Sequence, residues 1–264
     1  MSNHTGRKKS SRLVFLPLWL VYLFFYVPIV VVVFMSFNAG DNPYVFKGFS
    51  LDWYGKLAGD ETILQGLGNT LVVAVGTCLI STVVGTLMAV GIARHTRSKV
   101  IEAIATAPAI LPELMLAIGL LIFYTAINFT LGLTSILLAH LTFGIPLVAV
   151  VVRVRLASMD TTLEEASTDL GASPVQTFFR ITLPGLAPGI AAGALLAFTF
   201  SLDEFVLAFF SAGPTEPTLP IVIYSMVRFG VTPDINALAT ILLTVSVVAV
   251  LAVQRMTRLT ESLK

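Results

Sequence analysis

The sequence has 264 residues, of which 56% are hydrophobic and 12% charged, with a mean hydropathy of +0.91. A soluble domain carries roughly a quarter of its residues as charges. The composition therefore points to an integral membrane protein, and the chain is expected to be all-α, with the lipid bilayer and no nucleic acid as its surroundings. The net charge of +1 conceals an uneven distribution. The single cysteine, Cys78, lies in an apolar run and can form no internal disulfide, so the redox compartment is not readable.

In chain order, residues 1–12 form a basic polar tail with Arg7, Lys8, Lys9 and Arg12. The apolar run 13–37 is longer than a signal-peptide core and lacks an A-x-A cleavage pattern, so it is expected to be an uncleaved first span. Residues 38–65 form a polar loop in which Trp53 and Tyr54 suit a membrane interface. Span two covers 66–93, and its Gly66, Gly68, Gly76, Gly85 and Gly91 are expected to permit close helix packing. A short basic turn at 94–99 follows, with His95 as a surface residue. Span three, 101–127, is interrupted by Pro108 and Pro112. Span four, 131–152, contains His140, expected as a helix–helix hydrogen-bond partner, and is closed by Arg153 and Arg155. A polar loop fills 156–184 and span five runs over 185–210. The loop 211–232 holds a short re-entrant or interfacial piece at 219–229. Span six is 235–253, and a basic tail, 254–264, carries Arg255, Arg258 and Lys264.

This makes a transmembrane domain over 13–253 with six helices and both termini on one side. That side carries Arg7, Lys8, Lys9, Arg12, Arg94, Arg97, Lys99, Arg153, Arg155, Arg180, Arg255, Arg258 and Lys264. The other carries only Lys47, Lys56 and Arg228. The excess fixes the first side, with the N and C termini, as cytoplasmic. The loop 156–184 is then cytoplasmic, and loops 38–65 and 211–232 lie outside.

The cytoplasmic loop has internal order. Thr161 to Glu164 and Thr162 to Glu165 both read as Thr-x-x-Glu capping boxes. Leu163, Ala166 and Leu170 share one helical face. Gly171 tolerates the left-handed end of a helix. Ser173-Pro174-x-Gln176 restarts a helix at once, and Pro184 is expected to end or kink it. The spacing Glu165-Ala166-Ser167, three residues, Gly171, nine residues, Ile181, Leu183-Pro184 resembles the EAA loop of ABC-importer permeases, with Ser167 in place of the second Ala. The resemblance implies that this loop is a coupling helix docking on an ATPase subunit, with Glu164, Glu165, Ala166, Gly171, Leu183 and Pro184 in the coupling surface.

The chain has no G-x-x-x-x-G-K-[ST] loop, no metal-spaced Cys/His cluster and no nucleophile elbow. Catalytic residues, a metal site and a cofactor are not expected in it. Three acids fall within predicted spans, where a charge costs about 2.5–3.5 kcal/mol and usually faces a cavity. Glu113, counted along a straight helix, would lie about 18 Å into span three, near the midplane. Asp203 and Glu204 would lie about 28 Å past Pro184, near the outer edge. No Lys or Arg sits at matching depth, so internal partners are not expected.

Ser201-Leu202-Asp203-Glu204-Phe205, Ser211-Ala212-Gly213-Pro214, Leu219-Pro220, Tyr224-Ser225-Met226-Val227-Arg228 and Asn236-Ala237-Leu238-Ala239-Thr240 resemble spermidine/putrescine importer permeases. More narrowly, they resemble the second permease of such systems. The resemblance implies a multi-pass subunit in a bacterial inner membrane. Its implied partners are a second homologous permease, two ATPase subunits that bind ATP and Mg, and a periplasmic polyamine-binding protein. Glu113, Asp203 and Glu204, walled by Phe200, Phe205 and Tyr224, are the candidate substrate path. The S-L-D-E stretch also occurs in permeases for other amines and opines, so another small amine, amino acid or opine is the alternative cargo. An ion-coupled secondary transporter is a further alternative, but the paired broken helices of two related halves are not evident.

Overall fold

The computed structural model describes residues 10–95, 98–230 and 232–262. Arg7, Lys8, Lys9, Arg97 and Lys264, five of the cations counted above, lie outside them. In chain order the helices are α1 (Ser10–Met35), α2 (Asp52–Ala58), α3 (Glu61–His95), α4 (Lys99–Thr106), α5 (Glu113–Ala126) and α6 (Leu133–Ala157). They continue with α7 (Thr162–Asp169), α8 (Pro174–Thr177), α9 (Leu183–Asp203), α10 (Val206–Ser211), α11 (Leu219–Phe229) and α12 (Pro233–Ser262). A 3-10 turn, Ala107–Ala109, follows α4, and a π turn, Phe178–Thr182, joins α8 to α9. The chain divides into two compact units, Glu61–Val222 and Met1–Asp60 with Ile223–Lys264.

The larger unit is built on α3, α6 and α9, each of which packs on the other two. Ala89, Val148, Ala149, Val152, Leu186 and Ala197 form a fully buried apolar cluster among them. Small residues let the backbones approach. A Cβ on Gly85 would stand 2.8 Å from the Ile145 carbonyl oxygen, and one on Gly144 would stand 2.6 Å from Ser81 Oγ. Gly76 faces Leu137 and Gly66 faces Val222 at contact distance. Gly68 and Gly91 have nothing within 4 Å, so two of the five glycines expected to mediate packing do not. Buried polar groups in a bilayer must find partners inside the protein. His140 Nδ1 lies 2.7 Å from Ser201 Oγ, which donates to Thr77 Oγ1 at 3.4 Å. The expected helix–helix hydrogen bond of His140 thus joins α6 to α9 and extends to α3.

Proline shapes the two irregular spans differently. Between α4 and α5 the chain turns by 96°, with Pro108 in the 3-10 turn and Pro112 in the extended N-cap of α5. The straight-helix estimate of Glu113's depth therefore fails, because Glu113 opens a new helix. By contrast, Pro174–Asp203 is one continuous helical span. Pro184 was expected to end or kink it. It has no N–H for the Arg180 carbonyl, and the π turn takes up the defect: the Leu183 N–H bonds to the Phe178 carbonyl, five residues back. The predicted span 185–210 is instead split, with α9 ending at Asp203 and α10 starting at Val206.

In the smaller unit α12 packs on α1 and α2. The loop after α1 is organised by Asn38, which is fully buried. Its Oδ1 accepts the N–H groups of Gly40 and Lys47, and its Nδ2 donates to the carbonyls of Asn42 and Val45. Trp53 Nε1 donates to the Asn38 carbonyl at 2.9 Å, and Tyr54 shares a hydrogen bond with Ser36. Both aromatics, read from the sequence as interface residues, are also struts of this loop.

Four helical stretches, Pro17–Met35, Glu61–Arg94, Leu133–Ala157 and Pro174–Asp203, are long and apolar enough to cross a membrane, and the bent pair makes up to five. The apolar stretch Pro233–Val248 is shorter. The molecule is a helical, multi-pass membrane protein.

Candidate functional site

Two constellations stand out, both in the larger unit. The first is the polar elbow formed by α7, α8 and the π turn. The sequence gives α7 two Thr-x-x-Glu capping boxes, but neither forms. Thr161 sits at the N-cap in helical conformation without a side-chain bond. The helix start is supported instead by Asp160, whose Oδ1 accepts the Thr162 N–H at 2.9 Å. That bond holds the Asp160 carboxyl below the usual carboxylate range. The restart at α8 forms its capping box as expected: Ser173 Oγ accepts the Gln176 N–H at 3.4 Å, and Gln176 Oε1 accepts the Ser173 N–H at 2.9 Å. Gly171 has φ +84° with open space around it, the left-handed turn its position requires.

The adjacent glutamates of α7 point to different surroundings. Glu164 turns inward, where Oε1 accepts hydrogen bonds from Arg94 Nη2 at the end of α3 and from Thr182 Oγ1 at the end of the π turn, each at 2.5 Å. Glu165 is exposed and makes no ion pair among the described residues. Ala166 is exposed too, while Leu183 is half-buried beside the exposed Pro184. Leu163 and Leu170 project into solvent, Leu170 with 89% of its surface accessible. Ser167 Oγ meets Thr177 Oγ1 at 3.0 Å across the bend, fixing α7 against α8. An open cleft beside Arg94 runs along this face, bounded by Glu164, Glu165, Thr168 and Pro174. Arg94 and Thr182 were not singled out from the sequence. Arg94 carried only a topological signal, and Thr182 only that of a hydroxyl opening an apolar run.

The second constellation is the break between α9 and α10. Glu204 ends α9 in extended conformation and is only 7% exposed. Its Oε1 accepts the Leu207 N–H at 2.8 Å, capping α10. The expectation that it lacks an internal partner is thus corrected: the partner is backbone, not a cation. Glu113 lies in the first turn of α5, where a carboxylate is favoured by the helix dipole, and Asp203 is the last residue of α9. Both are exposed. The helices meet because Ala117 of α5, Ala139 of α6 and Leu207 of α10 form one buried cluster. Helix α5, opened by Glu113, thus packs beside α10, whose start Glu204 caps. Glu113 opens α5, Asp203 ends α9 and Glu204 caps α10, so all three acids stand at helix ends.

Phe200 packs against that cluster and stacks on Phe143 with ring centroids 4.3 Å apart. Phe205 packs against Phe209. Tyr224 belongs to the smaller unit and is 41% exposed. Among the described residues no three His, Cys, Asp or Glu side chains converge to hold a metal ion. Glu216, in the loop after α10, accepts the Leu133 N–H through Oε2 at 3.2 Å and so caps α6.

Residues 81–262 match the family described as binding-protein-dependent transport system inner membrane component. The putrescine transport system permease protein PotI of Escherichia coli strain K12 is 40% identical over 235 residues, covering 86% of this chain and 84% of PotI. The spermidine/putrescine transport system permease protein PotC of the same strain is 38% identical over 240 residues, covering 90% of this chain and 91% of PotC. In fold the chain is similar to a component of a bacterial ABC transporter involved in the import of the acidic polysaccharide alginate. There the TM-score is 0.76 at 20% identity, with 96% of each chain covered. A chain of the MetNI methionine ABC transporter superposes with a TM-score of 0.61 at 21% identity, covering 80% of this chain and 98% of that one.

Proposed function

The chain belongs to the binding-protein-dependent transport system inner membrane component family, and we propose that it is a permease subunit of an ATP-driven importer of putrescine and spermidine. The observation that carries the substrate class is the identity of 40% and 38% to PotI and PotC over more than four-fifths of each chain. In this reading the protein spans a bacterial inner membrane six times, and the asymmetry of Lys and Arg supports an orientation with both termini in the cytoplasm. It catalyses nothing itself. ATP and Mg are bound by two ATPase subunits, one of which docks on the elbow of α7 and α8, and a second permease completes the pathway. A periplasmic polyamine-binding protein delivers cargo to the loops 38–65 and 211–232.

A polyamine carries ammonium groups separated by methylene runs. Glu113 and Asp203, both exposed, are suited to replace the hydration of one ammonium group. Phe200 and Phe205 supply apolar wall and cation–π attraction. A site for transit must bind weakly enough to release, which suits two accessible acids better than a fully enclosed cage.

The test is reconstitution with the partner subunits and the binding protein, followed by uptake of labelled putrescine and spermidine. ATP-dependent uptake of either, competed by the other and lost on Glu165→Lys together with the bound ATPase, is the expected result. A complex that hydrolyses ATP in response to an anionic or uncharged solute, and not to a polyamine, overturns the substrate assignment.

A further inference from the structure

The two neighbouring glutamates of α7 stand in different environments, and the difference has mechanical content. Glu164 is the meeting point of three elements. Arg94 closes on it from the last turn of α3, and Thr182, completely buried, closes on it from the junction of the π turn with α9. Arg94 Nη2 also reaches Thr182 Oγ1 at 3.3 Å, so the three side chains form a closed triangle. Charge-assisted hydrogen bonds of this kind are about twice as strong as neutral ones. A second tie lies one turn further along α9, where Arg155 of α6 donates through Nε to the Gly185 carbonyl at 3.0 Å. The Ser167–Thr177 bond locks α7 to α8. Side-chain bonds thus tie α7 to the ends of α3 and of the π turn that leads into α9. Glu165 and Leu163 of α7 and, just beyond its end, Leu170 are exposed.

We propose that docking and transmission are divided between the two glutamates: Glu165 faces the ATPase, while Glu164, held by Arg94 and Thr182, passes the displacement of the docked elbow to α3 and α9. Arg94 and Thr182 are then positioning residues for transport, the first remote in sequence from the loop and the second at its far end. This inference rests on reading the elbow as the ATPase dock, and it adds that Glu164 is not part of the docking contact. A loop tied only through its backbone would swing on Gly171 and on the π turn, dissipating the movement. The triangle removes that freedom at the point where the loop meets the spans.

The experiment uses the complete transporter reconstituted in vesicles, with three measurements on each preparation: ATPase subunits retained on purification, ATP hydrolysed, and putrescine taken up per ATP. The variants are Arg94→Ala, Thr182→Val, Glu164→Gln, Glu165→Lys and the exchange Arg94→Glu with Glu164→Arg. Arg94→Ala, Thr182→Val and Glu164→Gln should retain the ATPase subunits and hydrolyse ATP while uptake per ATP falls about five- to tenfold. The exchange should recover much of the loss, which a role in folding alone would not require. Glu165→Lys should instead lose the ATPase subunits. Loss of those subunits on Glu164→Gln overturns the division of labour while leaving the elbow as the dock. Retention of subunits and of normal uptake per ATP in Arg94→Ala and Thr182→Val overturns the transmission role. Full capture in Glu165→Lys as well overturns the dock itself and the inference with it. Should Arg94→Ala fail to assemble, Thr182→Val, which removes a single hydroxyl, decides the question.

Discussion

Replacing Gly85 by alanine tests how closely α3 and α6 are packed. The new Cβ would stand 2.8 Å from both the Ile145 carbonyl oxygen and Val148 Cβ, about 0.6 Å inside the 3.4 Å at which ordinary contact begins. Neither neighbour can yield easily: one is helix backbone, and the other is a fully buried, β-branched side chain in the central cluster. The helices would have to part, and the same seam carries Gly144 against Ser81, so the separation would spread along it. Overpacking of this kind costs about 1–3 kcal/mol. Gly91→Ala on the same helix meets nothing within 4 Å and should gain about 1 kcal/mol of helix propensity. At about 2–4 °C per kcal/mol for a domain of this size, Gly85→Ala should lower the melting midpoint in detergent by several degrees and Gly91→Ala should raise it slightly. Loss of helical circular dichroism on heating reads both. A Gly85→Ala midpoint at or above that of the wild type would refute the close approach.

Glu113→Gln and Asp203→Asn should each slow labelled putrescine uptake without loss of assembly, whereas unchanged uptake in both would remove these acids from the cation path. Glu204→Gln keeps an acceptor for the Leu207 N–H, but Glu204→Ala does not, and it should cost about 1 kcal/mol of stability, seen as a lower melting midpoint. Ser201→Ala leaves His140 Nδ1 buried without its partner and should cost about 1–3 kcal/mol in the same melt. The bond from the Thr162 N–H puts the folded pKa of Asp160 below the ordinary 3.8. Its support of α7 is therefore present above that pH and is lost as pH falls through the lower folded value. The amide shift of Thr162, followed by NMR, should titrate below pH 3.8, and Asp160→Asn should abolish that titration.

The features written locally in the sequence were legible. Apolar length marked the long helices. Ser173, Pro174 and Gln176 specified a capping box that forms, and Gly171 specified a left-handed turn that exists. The misreadings arise where a distant group competes for a local one. Glu164 could have capped α7, but a guanidinium seventy residues earlier offers a charged partner, which a neutral backbone amide cannot match. Helix rise placed Glu113 by arithmetic that a 96° bend invalidates, and no periodicity reports the angle at a pair of prolines. Glycines in a span look alike in sequence. Only the neighbouring helix distinguishes Gly85, pressed against α6, from Gly91, facing open space. The acids were found because charge is conspicuous in an apolar run, but the packing of α5, opened by Glu113, beside α10 depends on a buried cluster that no local pattern reports.

The π turn before Pro184 also sets an angle. An α-helix advances about 100° per residue, and a π turn accommodates one residue more than an α turn would. The elbow and the buried seam of α9, Leu186, Gly189, Gly193 and Ala197, are therefore out of phase with an uninterrupted helix by roughly that rotation. Deleting one residue from 178–181 would leave both surfaces chemically intact while re-aiming one about the axis of the other. The compass bearing of the loop, independent of its composition, is thus encoded in a single surplus residue.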